Sequence, residues 1–128
     1  MPDTSAITKY RREILCKITS GNISSLAPIT HIAFGSGGVD ESGEPLVPSE
    51  LQNSLNNELA RYPIDSVWYP ENTTAQYTVT IPEDALAGSK ISEAALVDSS
   101  GNLCAIKNFY VKQKDSGVSF VFAFNDEF

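Results

Sequence analysis

The 128-residue sequence has little of the chemistry that enzymes commonly use. It contains a single histidine, His31, so a catalytic triad or a histidine general base would depend on that one side chain. His31 lies in the middle of a predicted strand, and we interpret it as a structural residue. The nearby hydroxyl and carboxylate, Ser36 and Asp40, do not form a nucleophile system by themselves. We therefore expect no enzymatic activity.

Long apolar runs and paired cysteines are also missing. No stretch approaches the ~18 apolar residues that a membrane-spanning helix needs, and we find no export signal, so we expect no membrane insertion. Cys16 and Cys104 have no paired spacing that would suit a metal. Both lie in apolar surroundings, which favours buried, reduced thiols, with a disulfide between them as the alternative.

Positive charge is scarce. Nine basic residues stand against sixteen acidic ones, for a net charge of −7, which disfavours binding to nucleic acid. Most of the basic residues lie within 9–17 and 107–114, and we interpret them as solvated faces. With 41% hydrophobic and 20% charged residues, the composition is that of a globular protein, and the length fits a single domain over residues 1–128.

Two helices are predicted. The first carries an apolar stripe, ends near Ser20 before the helix-stopping Gly21, and begins with either Ser5 or Thr8 as its capping residue. The stripe consists of Ile7, Tyr10, Ile14, Leu15 and Ile18. A capping box at Ser49–Gln52 and two leucines four residues apart predict a short second helix that ends near Asn57.

The remaining patterned runs are β-like. They span 29–34, 59–69, 75–81, 91–98, 103–111 and 118–124. The connection over 98–102 contains glycine and predicts a hairpin, which indicates antiparallel neighbours. We therefore predict an α+β fold with two helices packed on an antiparallel β-sheet of about five to six strands.

A glycine-rich segment follows the strand at 29–34. Gly35, Gly37 and Gly38 predict a structural turn, because a phosphate-binding loop or a dinucleotide site would need a helix with further motif residues at this point. The long loop after it contains Asp40, Glu41 and Glu44, which lack the spacing of a calcium loop. We expect neither a cofactor nor a metal here.

Aromatic residues allow two interpretations. They are Trp68, Tyr69, Tyr77 and Tyr110. They would suit an exposed platform for sugar, and core packing explains them equally well. Apolar residues, three of them phenylalanines, also occupy alternate positions from Val118 to Phe124. This alternation predicts a strand with one strongly aromatic face.

Four segments together resemble the phage tail-collar fibre family, the N-terminal attachment domain of tail fibres in contractile-tail phages and related contractile bacteriocins. Residues 7–15 resemble its opening helix, and residues 29–38 resemble its "THxAxGDG" strand and turn, with Ser36 in place of the aspartate. Residues 55–66 are similar to its "LxNExxRxPI" segment, and residues 91–106 to its "REIGLFDADGxLIAI" hairpin.

The resemblance implies a structural virion protein, assembled in the host cytoplasm, that attaches tail fibres to the baseplate. Its partners would be baseplate proteins and a tail-fibre polypeptide. Because the chain stops at Phe128 after an apolar strand, we expect a stand-alone connector. A homotrimer is expected, with its interface on Val118, Phe120, Phe122 and Phe124. The alternatives are a small host-surface glycan-binding module that uses Trp68 and Tyr69, and a fibre-assembly chaperone.

Overall fold

Eight β-strands and one α-helix make up the part of the chain that the computed structural model describes, residues 4–128. In chain order they are β1 (Thr4–Ile7), α1 (Lys9–Thr19), β2 (Ile29–Gly35), β3 (Glu58–Pro63), β4 (Ser66–Glu71), β5 (Thr74–Ile81), β6 (Lys90–Asp98), β7 (Leu103–Gln113) and β8 (Phe120–Glu127). Over the same residues, no helix has the length and apolar character needed to cross a membrane.

The strands form two antiparallel sheets. The larger sheet has the order β1-β7-β6-β2-β3, and the smaller sheet has the order β4-β5-β8. The prediction of two helices on one antiparallel sheet is therefore wrong, because the fold is mostly β and has one short helix in the described residues. Two local misreadings of the sequence account for the difference.

The predicted second helix does not form. Half of its capping box is present, since the Ser49 N–H donates to Gln52 Oε1 at 2.9 Å, but the Ser49 hydroxyl accepts the Leu51 N–H at 3.1 Å rather than that of Gln52. The chain then turns, buries Leu55, and donates the N–H groups of Asn56 and Asn57 to a carboxylate in β6. A helix this short is marginal in isolation, so these tertiary contacts decide the conformation.

The predicted strand over 59–69 is divided between the two sheets. At the division, the Ile64 N–H donates to the Thr30 carbonyl in the larger sheet at 3.0 Å, and the Asp65 N–H donates to the Thr78 carbonyl in the smaller sheet at 2.8 Å. Pro63 has no N–H to continue the first ladder. The alternating pattern continues through this corner, so Pro63 is the one sign of a break in the sequence.

The main core lies between the sheets. Phe34 meets Phe122 edge to face with ring centroids 5.3 Å apart, which joins the two layers. The other large buried members are Ile32, Ile91, Leu96 and Phe109 from the larger sheet and Val79, Ile81 and Phe124 from the smaller one. A second cluster covers the opposite face of the larger sheet and consists of Ala33, Leu55, Ala95, Val97, Leu103 and Ile106.

Of the two predicted capping residues of helix α1, Thr8 is the one that the structure shows, and the helix ends before Gly21 as predicted. Thr8 is the capping residue, with its hydroxyl accepting the Arg11 N–H at 3.3 Å, whereas Ser5 lies in β1. Gly21 has φ +84°, and the Asn22 N–H donates to the Lys17 carbonyl at 2.9 Å, which closes the last turn.

The two cysteines differ in environment. Cys104 is buried in β7 as predicted, but the prediction of burial is wrong for Cys16, which is exposed on α1. Cys16 lies two residues from Ile14 and therefore off the apolar stripe of the helix. Both thiols are free, so they form no disulfide with each other.

Candidate functional site

The glycine turn after β2 fits closely against the neighbouring chain. Gly35 ends β2, and Gly37 and Gly38 lie in the bend that follows. A Cβ atom on Gly38 would overlap the Ser92 carbonyl oxygen, and one on Gly37 would lie 2.6 Å from the Asn56 Cβ. The close approach of backbone to backbone, rather than an unusual φ, makes glycine necessary here.

A buried carboxylate, Glu93 of β6, holds this turn. Its Oε2 accepts the N–H groups of Gly37 and Asn57, each at 2.8 Å, and its Oε1 accepts the Asn56 N–H at 2.9 Å. The side chain is fully buried. Three N–H donors satisfy the charge that burial would otherwise penalise. Glu93 thus fastens the turn after β2 and the turn before β3 to the centre of the larger sheet.

The acidic loop after the turn is held by its own hydrogen bonds. Asp40 Oδ1 accepts the N–H groups of Ser42 and Glu44, at 2.8 and 3.0 Å. The Tyr110 hydroxyl donates to the Glu44 carboxylate at 2.9 Å. Glu41 is exposed. Within residues 4–128, three or more metal-ligating side chains do not come together anywhere.

His31 lies half-buried in β2, beside the turn of the hairpin that β6 and β7 form. Its Nδ1 is 2.8 Å from the Thr30 hydroxyl. The shallow pocket next to it, about 260 Å³, is lined by Arg61, Val97, Asp98 and Gly101 among others. Arg61 in turn is paired with the Glu58 carboxylate at 2.8 Å.

A second buried charge links the helix to the last strand. The Arg11 guanidinium donates two hydrogen bonds to the Asp126 carboxylate, at 2.7 and 2.6 Å. Burial disfavours the charged guanidinium, but the hydrogen bonds and negative charge of Asp126 outweigh it, so the pKa of Arg11 is raised. The interpretation of the basic residues as solvated faces is wrong for Arg11, and also for Lys114, whose buried Nζ donates to the Glu83 and Asp115 carbonyls.

The aromatic strand at the end of the chain lies mostly in the core. Phe122 and Phe124 are buried between the sheets, and Phe120 is half-buried against them. Val118 lies before β8 and is 56% exposed. The four residues predicted as an interface are therefore divided, with only Val118 free to meet another chain.

The four aromatic residues predicted as a possible platform do not share a surface. Trp68 and Tyr69 are 58% and 67% exposed on β4, but consecutive residues of a strand point to opposite faces. Tyr77 packs against the main core, and Tyr110 contacts the acidic loop. The Trp68 indole N–H donates to Gln76 Oε1 at 2.7 Å.

The fold defines the class of this protein as a small, mostly β protein built on two antiparallel sheets. The model of one family, described as phage tail-collar fibre protein, N-terminal, matches residues 4–120. The chain therefore belongs to the phage tail-collar fibre family, and the resemblance noted from the sequence is confirmed.

Neither the curated proteins nor the solved structures that were searched gave a match. Family membership gives the chain a structural role in a phage tail fibre and a place in the virion. Glu93, Arg11 and Asp126 are the residues that sequence reasoning missed as structural determinants. A carboxylate inside the apolar run of β6 was the available signal for Glu93.

Proposed function

We propose that this protein is a connector that attaches tail fibres to the baseplate of a contractile particle, either a phage or a contractile bacteriocin. The observation that supports the proposal best is the family match, which extends over nearly the whole chain, from residue 4 to residue 120. The proposed partners are baseplate proteins and a tail-fibre polypeptide, and the proposal assigns no catalytic step to the chain.

The fold is suited to such a role because its connections are fixed. Glu93 fastens two turns to the central strand β6, and the Arg11–Asp126 pair joins α1 to β8. A connector transmits position from one partner to another, so a rigid body serves it better than hinged segments. A homotrimer completes the proposal, and Val118 is the predicted interface residue that is exposed in the single chain.

The test is quantitative mass spectrometry of purified, intact particles from the producing cell, with sheath and baseplate proteins as internal references. We expect the chain at a fixed, low copy number relative to the sheath. Particles from a strain that lacks the chain should assemble tails without fibres, and the wild-type gene in trans should restore the fibres. Absence from finished particles, with abundant protein in the lysate, would reject the connector and indicate an assembly chaperone.

A further inference from the structure

The smaller sheet has one face turned away from the core. Val79, Phe122 and Phe124 point into the core, so their neighbours along β5 and β8 point outward. The outward residues are Ser66, Trp68 and Glu71 of β4, Thr74, Gln76, Thr78 and Thr80 of β5, and Val121, Ala123, Asn125 and Glu127 of β8. This outer face carries no basic residue, and its two carboxylates, Glu71 and Glu127, lie together at one end, on either side of Thr74.

The indole of Trp68 is fixed on this outer face by a relay of hydrogen bonds across all three strands. The Trp68 N–H donates to Gln76 Oε1 at 2.7 Å, and Gln76 Nε2 donates to Asn125 Oδ1 at 2.9 Å. The three residues lie side by side in the strand register. The ring is 58% exposed although its orientation is set, so a ligand would meet a surface that is already ordered.

We infer that this outer face binds a neutral pyranose sugar, with the ring face of the sugar against the Trp68 indole. A pyranose presents an apolar C–H face and a rim of hydroxyl groups. The indole supplies the apolar surface, and the side chains of Gln76, Asn125 and Thr78 supply donors and acceptors beside it.

The composition of the outer face favours a sugar over the other classes of ligand. A protein interface needs an apolar core of several large side chains, whereas the other large apolar group here is Val121, opposite Thr80 and four residues along β8 from Asn125. Nucleic acid and phosphorylated or sulfated glycans need cations, which the outer face does not supply. A neutral sugar matches the uncharged amides and hydroxyls around the ring.

The sequence provides a direct probe, because Trp68 is the only tryptophan of the chain. Its fluorescence therefore reports on this face alone. We would titrate the full-length protein with maltotriose, mannotriose, galactobiose and chitotriose, and measure both the emission spectrum and quenching by acrylamide. For at least one of these sugars we expect a saturable spectral change and slower quenching, with a dissociation constant in the millimolar range because the face is shallow.

Matched variants test whether the spectral change comes from sugar bound at Trp68 rather than elsewhere on the protein. Asn125→Ala should weaken binding by about fivefold, the usual value of one net hydrogen bond, and Trp68→Ala should abolish sugar contacts seen by ligand-observed NMR. Tyr69→Ala removes a ring of similar exposure on the opposite face and should leave the affinity unchanged. All three positions are on the surface, so unfolding midpoints would verify that each variant is folded.

Two kinds of outcome would overturn the inference. One is a negative result with the sugars themselves, either no saturable change with any of the four or equal NMR contacts in Trp68→Ala. The other is protection of Trp68 from quenching only when a baseplate or fibre protein is added, which would make the outer face a protein-docking surface. Neither outcome bears on the presence of the chain in particles, so the connector proposal is tested separately.

Discussion

At the scale of single residues, the carboxylate of Glu93 is the most consequential side chain. It accepts three backbone N–H groups from two separate turns while fully buried. The glycines that approach it were predicted from the sequence as a turn. Their partner was not, because it lies more than fifty residues further along the chain, and an acidic residue in a strand normally indicates solvent exposure.

Replacement of Glu93 by glutamine should destabilise the fold strongly. The amide keeps one acceptor oxygen but directs an NH₂ group at backbone N–H donors, which leaves buried donors unpaired. We expect a loss of about 3 kcal/mol in the free energy of unfolding, measured by urea denaturation. Glu41→Gln, in the exposed loop, is the control and should change the free energy by less than about 0.5 kcal/mol. Equal stability of the two variants would contradict the assignment.

At the scale of elements, periodic sequence patterns predicted the positions of most strands and of the helix, but they did not predict which strands pair. The strands β5, β6 and β7 and the helix α1 lie close to their predicted positions, because alternation and the helical stripe are local properties. Strand β1, at Thr4–Ile7, is too short to show a period. The predicted second helix failed because its capping box supports a single turn as well as it supports a helix.

Strand β8 shows why an apolar alternating run does not identify its own partner. Phe122 and Phe124 suit a subunit interface and a domain core equally well on composition, and the structure places them in the core. Position in the three-dimensional fold, which depends on β5 and the larger sheet, decides between the two. The interface prediction therefore now depends on Val118.

Two members of that predicted interface, Val118 and Phe122, should respond differently to substitution. Val118→Asp places a charge at the proposed contact, so we expect the trimer to dissociate to a folded monomer in sedimentation velocity, with only the part of the unfolding midpoint that depends on protein concentration lost. Phe122→Ala should cost about 3–5 kcal/mol of stability through the cavity it leaves in the core. Val47→Asp, on another exposed valine, is the control for added charge and should remain trimeric. A monomeric wild-type protein would refute the trimer.

At the scale of the whole molecule, one core holds two sheets together, and the single-domain prediction remains to be tested. The sequence did not reveal the two-sheet arrangement, because the corner at Ile64–Asp65 is marked only by Pro63. The buried ion pair of Arg11 and Asp126 was hidden for a related reason. Its two members lie near opposite ends of the chain, in segments that each look solvated.

Burial also sets the response of the whole molecule to alkaline pH. Burial, with the nearby Asp98, raises the pKa of the Cys104 thiol from 9.0 to about 12. The unfolded chain therefore releases this proton at lower pH than the folded chain does. The free energy of unfolding should fall as pH rises from about 9 towards 12, and the raised pKa values of Tyr10 and Tyr77 act in the same direction.

Cys104→Ala removes the largest of these contributions. Urea denaturation at a series of pH values should show a shallower alkaline decline for this variant than for the wild-type protein. Cys16→Ala, at the exposed cysteine, should follow the wild-type curve. Parallel curves for the wild-type and Cys104→Ala would show that the thiol makes no contribution.

The hydrogen bonds of Glu93 have a consequence for engineering. Its carboxylate binds the backbone of Gly37 at the start of the long loop and that of Asn56 and Asn57 at its end. The segment between them begins and ends at this one side chain, and Tyr110 also holds it at Glu44, so its base stays closed whatever its tip contains. Lengthening a loop whose ends are already pinned costs only about 0.6 kcal/mol for each doubling. The exposed tip at Ser42 is thus the natural position for a grafted epitope or affinity tag displayed on the particle.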